Sequence, residues 1–310
     1  MARENLKRQM TREIDRRYQN NVTARAYKAS ASDFCDFARG EHIRNLQDVT
    51  REHVQAYEHT LEERGCSPAT IHSRLAPICA LRNINMREIE HPRRTSDHIT
   101  RGRDEERNRQ GRAQERDPRY ERSVSLERAV GVRRAELSRL KGRDLVRDEN
   151  GCLCVLVERG KGGKEQRQRI LPQHEKTVLR AFERVRDDEY VLNRSEIAPK
   201  ANYHGMRAEL AREAYNYYEN RLQGDPGYRQ ELRRELMDRF DRSGTRGAQK
   251  RAKFEREVYN DAKYKVRGAN RERAQEKGLP TSYDRTAMMA VSVFHLSHWR
   301  LDVTATNYLI

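Results

Sequence analysis

The sequence is poor in apolar and aromatic residues. Only 35% of its 310 residues belong to the hydrophobic set, 7% are aromatic, and a single tryptophan is present. No stretch approaches the ~18 consecutive apolar residues of a membrane helix, and the N-terminus MARENLKRQM lacks the apolar core of a signal peptide. We therefore expect a cytoplasmic protein, long enough for two domains and built of small helical units with wide solvated faces.

Cysteine is also scarce, and its spacing excludes the usual cysteine frameworks. The five cysteines are odd in number and form no CxxC pair, so neither a disulfide framework nor a zinc ribbon is indicated. Cys152 and Cys154 are two apart and would share one face of a strand. His295 and His298 have a spacing that suits zinc, but no second ligand pair lies nearby. We expect no metal and no other cofactor.

Positive charge is what the sequence has in excess. Lys and Arg number 64 against 48 Asp and Glu, which gives a formal charge of +16 and a pI near 9.8. Basic side chains that neutralise phosphates release condensed counterions, so a polyanion is the first partner to consider. Charge alone does not choose between DNA, RNA and an anionic membrane surface.

Apolar spacing divides the chain into segments. Residues 1–91 carry several capped helical patterns, for example after Thr23 and Thr50, which predict a small helical bundle. Hydrophobic residues almost vanish from 92 to 118, where arginines alternate with acids. Such a stretch cannot fold alone, so we predict a linker or a charged, exposed helix there, with a domain boundary.

The segment after residue 118 changes character twice. CLCVLVERG and QRQRILP are rich in β-formers and are separated by KGGKE, which predicts a hairpin with a glycine-rich turn. Residues 205–285 return to charged helical patterns, and a final helix is predicted through DRTAMMAVSVFHL. The fold class is therefore mainly α with a small β-hairpin or three-stranded sheet.

Four short motifs follow one another in this second half: GVRRAEL, GKGGK, HGMR and LSHWRLDVTATNYLI. Each has an ordinary interpretation by itself. GVRRAEL could be a surface arginine beside a packed leucine, and GKGGK could be a basic β-turn. HGMR could be a surface or buried pair on a helix, and the last motif could be a closing helix. Their order and combination resemble the catalytic domain of the tyrosine recombinases, the phage-integrase family, over about residues 119–310. The N-terminal helices are similar to that family's core-binding domain only in size and character.

The resemblance implies a role for each motif residue. The matching positions are Arg133 for the first catalytic arginine, Lys161 for the hairpin lysine, His204 and Arg207 for the second box, His298 for the third-box histidine, and Tyr308 for the nucleophile. Glu136 falls where the family often has an acid that braces the first arginine. A tyrosine can hold a phosphoryl group covalently, and two arginines can stabilise the transition state without a metal or ATP.

The implied function is site-specific recombination of double-stranded DNA. It would run through a 3′-phosphotyrosyl link and a Holliday junction, in a homo-tetramer on two duplexes, with a directionality factor left open as a further partner. Two alternatives remain at this point. One is a type IB topoisomerase or telomere-resolving strand transferase, and the other is a catalytically inactive DNA-binding relative.

The sequence departs from the family pattern in four respects. Ninety residues separate Arg207 from His298, which predicts a charged helical insertion at about 209–283. Ser297 replaces the usual glycine, and Tyr308 follows His298 by ten positions, one more than is common in the family. Because one residue rotates a helix by ~100°, we expect a loop or a shifted helix start to present the tyrosine. Only two residues follow it in the sequence, so we expect either that protomers are coupled through other surfaces, such as the insertion, or that cooperative assembly is weak.

Overall fold

A computed structural model describes residues 5–19, 22–93, 105–160, 165–244 and 247–310. The chain divides into two compact units, Met1–Arg101 and Gly102–Ile310. The first unit contains α1 (Leu6–Tyr18), α2 (Val22–Gly40), α3 (Arg51–Glu63) and α4 (Pro68–Arg82). The second contains α5 (Glu105–Glu115), α6 (Glu121–Val130), α7 (Arg134–Leu137), β1 (Leu145–Arg147), β2 (Leu153–Val157), β3 (Gln166–Arg169), α8 (Glu175–Phe182), α9 (Tyr203–Gly224), α10 (Tyr228–Arg242), α11 (Ala248–Val258), β4 (Tyr264–Lys265), α12 (Ala269–Glu276), β5 (Ser282–Tyr283), α13 (Arg285–Ala290) and α14 (Leu301–Thr304).

The first unit is the predicted helical bundle. Thr50 and Ser67 cap α3 and α4 by accepting backbone N–H groups with their side chains, as serine and threonine do at helix starts. Helix α2 already includes Thr23, so that residue does not cap it. Phe34 and Tyr57 are fully buried and meet edge to face at 5.1 Å in the core.

The predicted hairpin is present in the second unit. Strands β2 and β3 pair antiparallel with Val157 opposite Gln166, and β1 adds a third strand on the other side of β2. The Gly-Lys residues 161–164 between β2 and β3 lie outside the described residues. Cys152 and Cys154 are free thiols at and beside the start of β2.

The charged stretch at 92–118 contains helix α5, which belongs to the second unit. Its end is bound to the segment before α9, because the backbone N–H groups of Lys200 and Asn202 donate to the side chains of Gln114 and Glu115, at 2.7 and 3.0 Å. Residues 94–104 lie outside the described part of the chain. Of the two predictions for this stretch, a linker or a charged helix, the helix is found at residues 105–115. The roles assigned to the domains stay predictions.

The stretch at 209–283 shares a hydrophobic core with the C-terminal segment. It begins inside α9, which runs unbroken from the second-box residues to Gly224. Phe240 of α10 stacks on Phe254 of α11 at 4.6 Å, and both rings contact Trp299, at 5.8 and 5.6 Å. The stretch is thus integral to the second unit's packing.

The C-terminal segment is helical with two π turns. Asp284 caps α13 by accepting the N–H of Ala287 at 3.0 Å, and the helix continues as a π-helical segment, Val291–His295. The helix expected through DRTAMMAVSVFHL is therefore present, but it is not the last one. Helix α14 and a second π-helical segment, Ala305–Leu309, follow it. No helix among the described residues combines the length and apolar character of a membrane span.

The shared core predicts that Phe240→Ala destabilises the second unit by about 3–5 kcal/mol, the usual cost of truncating a buried aromatic residue. Trp299 is the only tryptophan and contacts Phe240, so its fluorescence during urea unfolding measures the change. Asp238→Ala, at an exposed position of the same helix, is the control. A loss below about 1 kcal/mol for Phe240→Ala would show that the stretch is peripheral.

Candidate active site

One buried guanidinium connects three of the four motifs. Arg207 lies on the second turn of α9 and is only 2% exposed. Its Nη1 donates to the carbonyl of Gly131, in GVRRAEL, and its Nη2 donates to the carbonyl of Leu296, in LSHWR, at 2.7 Å. Hydrogen bonds from a charged donor are stronger than neutral ones, so Arg207 fixes both segments to α9.

Gly131 is required at its position by backbone conformation and space. It ends α6 with φ of +58°, in the left-handed region that favours glycine. A Cβ atom there would lie 2.6 Å from Cδ2 of Leu210. The glycine therefore lets the turn approach α9 closely enough for its carbonyl to meet Arg207.

Arg133 and Glu136 form a local bracket directly after this turn. Glu136 is 3% exposed and accepts two hydrogen bonds from Arg133, one from the backbone N–H at 2.9 Å and one from Nη1 at 2.7 Å. The side chain of Arg133 keeps 29% of its surface exposed. Glu136 thus holds Arg133 in place while leaving part of the guanidinium accessible.

Tyr308 lies among the histidines of two motifs. Its phenol oxygen is 2.8 Å from Nε2 of His298, and its ring centroid is 5.2 Å from that of His204 and 5.3 Å from that of His298. The guanidinium of Arg207 lies 5.8 Å from the tyrosine ring centroid. When Nε2 carries no proton, the phenol donates this hydrogen bond, so His298 is placed to accept the phenolic proton.

A π turn accommodates the ten-residue spacing between His298 and Tyr308. The tyrosine belongs to the π-helical segment Ala305–Leu309 that continues α14. A π turn closes from residue i to i+5 and therefore takes in one more residue than an α turn. The π segment presents Tyr308 from a helix rather than from a loop, and the alternative of a shifted helix start stays a prediction.

The turn that carries His298 has a left-handed backbone on both sides. Ser297 has φ of +52° and Trp299 has φ of +59°, a region in which non-glycine residues are strained. The N–H of His298 donates to the carbonyl of Ser292 at 2.9 Å, which fixes the turn. The conformation of Ser297 gives a physical reason for the glycine that the family usually has there.

Lys161 cannot be placed relative to this group. It lies outside the described residues, in the connection between the paired strands β2 and β3. Its role as the lysine of the hairpin therefore stays a prediction.

Glu127 is a buried acid beside the site that the sequence reasoning missed. It is fully buried, and neither carboxyl oxygen has a hydrogen-bond partner among the described residues. Burial raises the pKa of Glu127 well above its ordinary value, against the opposing charge of Arg207. The only sequence signal was an acid within the apolar pattern VSLERAV.

Two further residues bind the backbone at Tyr308 and Leu309, and neither was among the predicted site residues. Nη1 of Arg212 donates to the carbonyl of Tyr308 at 3.1 Å, and the hydroxyl of Tyr283 donates to the carbonyl of Leu309 at 3.3 Å. These contacts join positions that are 96 and 26 residues apart. No local sequence pattern marks such pairs.

His295 and His298 face different partners, which argues against a shared metal. Nε2 of His295 lies 3.1 Å from the hydroxyl of Tyr218, deep in the core, while His298 contacts Tyr308. Among the described residues, no group of three or more His, Cys, Asp or Glu side chains is placed to hold a metal ion. Burial, with the charge of Arg169, lowers the pKa of His295 to about 3.

The depressed pKa of His295 predicts a pH-dependent stability. The unfolded chain binds a proton near the ordinary pKa of ~6.5, whereas the folded chain binds it only near about 3. Stability should therefore fall as the pH drops from ~6.5 towards 3, by up to about 1.4 kcal/mol per pH unit from this group. In urea unfolding across this range, His295→Gln should show a slope smaller by one proton; equal slopes for variant and wild type would contradict the assignment.

The strained turn predicts that Ser297→Gly is stabilising. Glycine avoids the cost of about 1–2 kcal/mol that a left-handed backbone imposes on other residues. It also loses more backbone entropy on folding, which lowers the free energy of unfolding by about 0.5–1 kcal/mol. A net gain of up to about 1.5 kcal/mol should therefore appear in urea unfolding followed by Trp299 fluorescence. Ser297→Ala is the matched control and should give no gain, because alanine keeps the penalty. A destabilised glycine variant would count against the left-handed turn.

Comparison with known proteins assigns part of the first unit to a family. The family of the phage integrase N-terminal SAM-like domain matches residues 13–88, within the first unit. A crystal structure of XerA recombinase is similar at 16% identity and a TM-score of 0.25, covering 68% of this chain and 84% of that chain. The Tn1549 transposon integrase in complex with circular intermediate DNA is similar at 14% identity and a TM-score of 0.35, covering 69% and 80%.

Both TM-scores are below 0.5, so neither structure supports any statement about the function of this chain. No curated protein sequence matches it. The N-terminal domain match stands beside four motifs in the family's order, three of which meet around Arg207 and Tyr308. Residues 13–88 therefore belong to the family of the phage integrase N-terminal SAM-like domain.

Proposed function

We propose that this protein is a site-specific DNA recombinase that cleaves and rejoins strands through a covalent link to Tyr308. The observation that carries the proposal is the 2.8 Å contact between the Tyr308 phenol and Nε2 of His298, beside the buried Arg207. A nucleophile within hydrogen-bond reach of a base, with a cation near the nucleophile, is the arrangement that nucleophilic catalysis at a phosphate requires.

The cleavage step exchanges one phosphoester for another. The phenol oxygen of Tyr308 attacks the phosphorus and passes its proton to Nε2 of His298, and the bond from phosphorus to the 5′ oxygen breaks. Lys161 gives a proton to the departing oxygen, which leaves as a 5′ hydroxyl. His204, whose ring lies beside that of Tyr308, orients the phosphate. Attack by a 5′ hydroxyl on the phosphotyrosine reverses these transfers and rejoins DNA.

Arg133 and Arg207 would hold the two non-bridging oxygens. Nη1 and Nη2 of Arg207 each donate to a backbone carbonyl, and its buried Nε has no partner among the described residues. A buried, unsatisfied N–H is unfavourable, so an oxygen of the substrate would remove that penalty. Burial, and to a smaller extent the neighbouring charge of Arg133, lower the pKa of Arg207. An anion between the two guanidiniums would offset both effects.

Double-stranded DNA is the proposed partner. The charge of +16 suits a polyanion, and the SAM-like domain match at 13–88 supports a core-binding role for the first unit. Strand exchange through a Holliday junction requires four active sites on two duplexes, so we propose a homo-tetramer on core sites. A directionality factor would act on this assembly.

A topoisomerase-like activity is the second candidate. The contacts of Tyr308 with His298, His204 and Arg212 all come from its own chain, so one protomer could nick and reseal one duplex. Relaxation of a supercoiled plasmid that lacks a recombination site would favour this candidate.

The central prediction is covalent attachment through Tyr308. A duplex site selected by binding from random DNA is nicked close to the cleavage position, so that a short fragment diffuses away and the adduct accumulates. The wild type should form an adduct that survives denaturing electrophoresis. Tyr308→Phe should form none, and Arg207→Lys should be slower by at least about 10²-fold, because lysine cannot reproduce the two carbonyl bonds.

Tyr217→Phe is the matched control, since Tyr217 is a half-buried tyrosine of α9 whose hydroxyl contacts Arg221. It should form the adduct at the rate of the wild type. An adduct undiminished in Tyr308→Phe, or none with the wild type, would contradict the proposed function.

A further inference from the structure

The backbone carbonyls of Tyr308 and Leu309 are bound by side chains from two other elements. Arg212 of α9 donates to the carbonyl of Tyr308 at 3.1 Å, and Tyr283 of β5 donates to the carbonyl of Leu309 at 3.3 Å. We call Arg212 and Tyr283 the terminal anchor. Arg212 belongs to no motif of the family pattern described above.

The segment that carries Tyr308 needs such an anchor. Helix α14 has four residues and the π segment after it has five, whereas isolated helices shorter than ~12–15 residues are marginal in water. The final carbonyls of any helix also lack partners within the helix. The position of Tyr308 is therefore determined by packing and by the terminal anchor.

Tyr283 is itself held firmly. Its backbone pairs with that of Tyr264 in the β4–β5 ladder, and its ring meets that of Tyr215 edge to face at 5.2 Å. The hydroxyl of Tyr215 accepts the N–H of Asp284 at 2.8 Å. Tyr283 is only 3% exposed, so its hydroxyl has little freedom to move away from the Leu309 carbonyl.

Helix α9 fixes both ends of the segment that holds the base and the nucleophile. Arg207 binds the carbonyl of Leu296, two residues before His298, and Arg212 binds the carbonyl of Tyr308. The two arginines are five residues apart, which is ~7.5 Å along a helix axis. The position of the Tyr308 backbone relative to the phosphate-binding Arg207 is therefore set by one rigid helix.

We propose that Arg212, supported by Tyr283, is a positioning residue that sets the approach of the Tyr308 phenol to the scissile phosphate. The inference rests on the proposed function, because it assumes that Tyr308 is the nucleophile. Arg212 acts through the backbone of Tyr308 and touches no reacting atom. A misplacement of about 1 Å at a reacting group can slow a reaction by about 10²-fold.

The competing role for Arg212 is a contact to the DNA backbone. A phosphate contact would contribute to binding affinity and to its salt dependence. A positioning residue would instead change the rate of covalent attachment once DNA is bound. Measuring both quantities separates the two roles.

The test compares Arg212→Ala, Arg212→Lys and Tyr283→Phe with the wild type. Arg234→Ala is the control, since it removes the same charge from an exposed position on α10. Single-turnover attachment to the nicked duplex is measured at saturating protein, and affinity is measured by fluorescence anisotropy. Arg212→Ala should attach about 10²-fold more slowly, with affinity changed by less than about threefold. Arg212→Lys should recover part of the rate, because an ammonium can donate to the carbonyl.

A second substrate separates nucleophile position from leaving-group protonation. When sulfur replaces the bridging 5′ oxygen, the leaving thiolate needs no proton. Lys161→Ala should therefore regain its rate on this substrate, whereas Arg212→Ala should stay slow. A merely destabilised protein would not show this difference between the two variants.

Each outcome decides the question. If the wild type forms the adduct and Arg212→Ala attaches equally fast, or loses only affinity, the positioning role is wrong while the proposed function stands. If Arg212→Ala does not fold by thermal melting, Arg212→Lys and Tyr283→Phe decide, and wild-type rates in both overturn the inference. If the wild type forms no adduct, the proposed function fails and the inference fails with it.

Discussion

The rest of the site depends on the two hydrogen bonds that the guanidinium of Arg207 donates to backbone carbonyls. Its two nitrogens bind the carbonyl of Gly131 and the carbonyl of Leu296, so the segment of the first arginine and the segment of His298 are both attached to α9. These two bonds hold together three segments of the site that are far apart in the sequence. The same cation lies beside the Tyr308 ring, which couples the architecture of the site to its chemistry.

Arg207 is buried, and burial strengthens its hydrogen bonds to the two carbonyls. In a dry environment each hydrogen bond to a carbonyl is stronger, and each unpaired polar group is more unfavourable. Burial lowers the pKa of Arg207 and raises the pKa of Glu127. The helices between 209 and 283 extend this packing, since Phe240 and Phe254 contact Trp299 in the strained turn of His298. We regard them as a support for the C-terminal segment.

The sequence predicted those features of the fold and of the site that leave a local pattern. Hydrophobic spacing predicted the helices and the β2–β3 hairpin, and motif order predicted the residues that meet around Tyr308. It could not find Arg212 or Glu127, because a contact across 96 positions and an acid on an apolar face leave no pattern in a single sequence. The π turn was missed for a related reason: residue counting assumes α-helical geometry, whereas tertiary contacts made the extra residue fit.

The most direct test of the account is to identify the amino acid that becomes attached to DNA. After nuclease treatment of the covalent complex, trypsin should release the peptide Leu301–Ile310, in which Tyr308 is the only tyrosine. Fragmentation in the mass spectrometer would then assign the nucleotide remnant to one side chain. The account predicts the remnant on Tyr308, and a remnant on any other residue would contradict it.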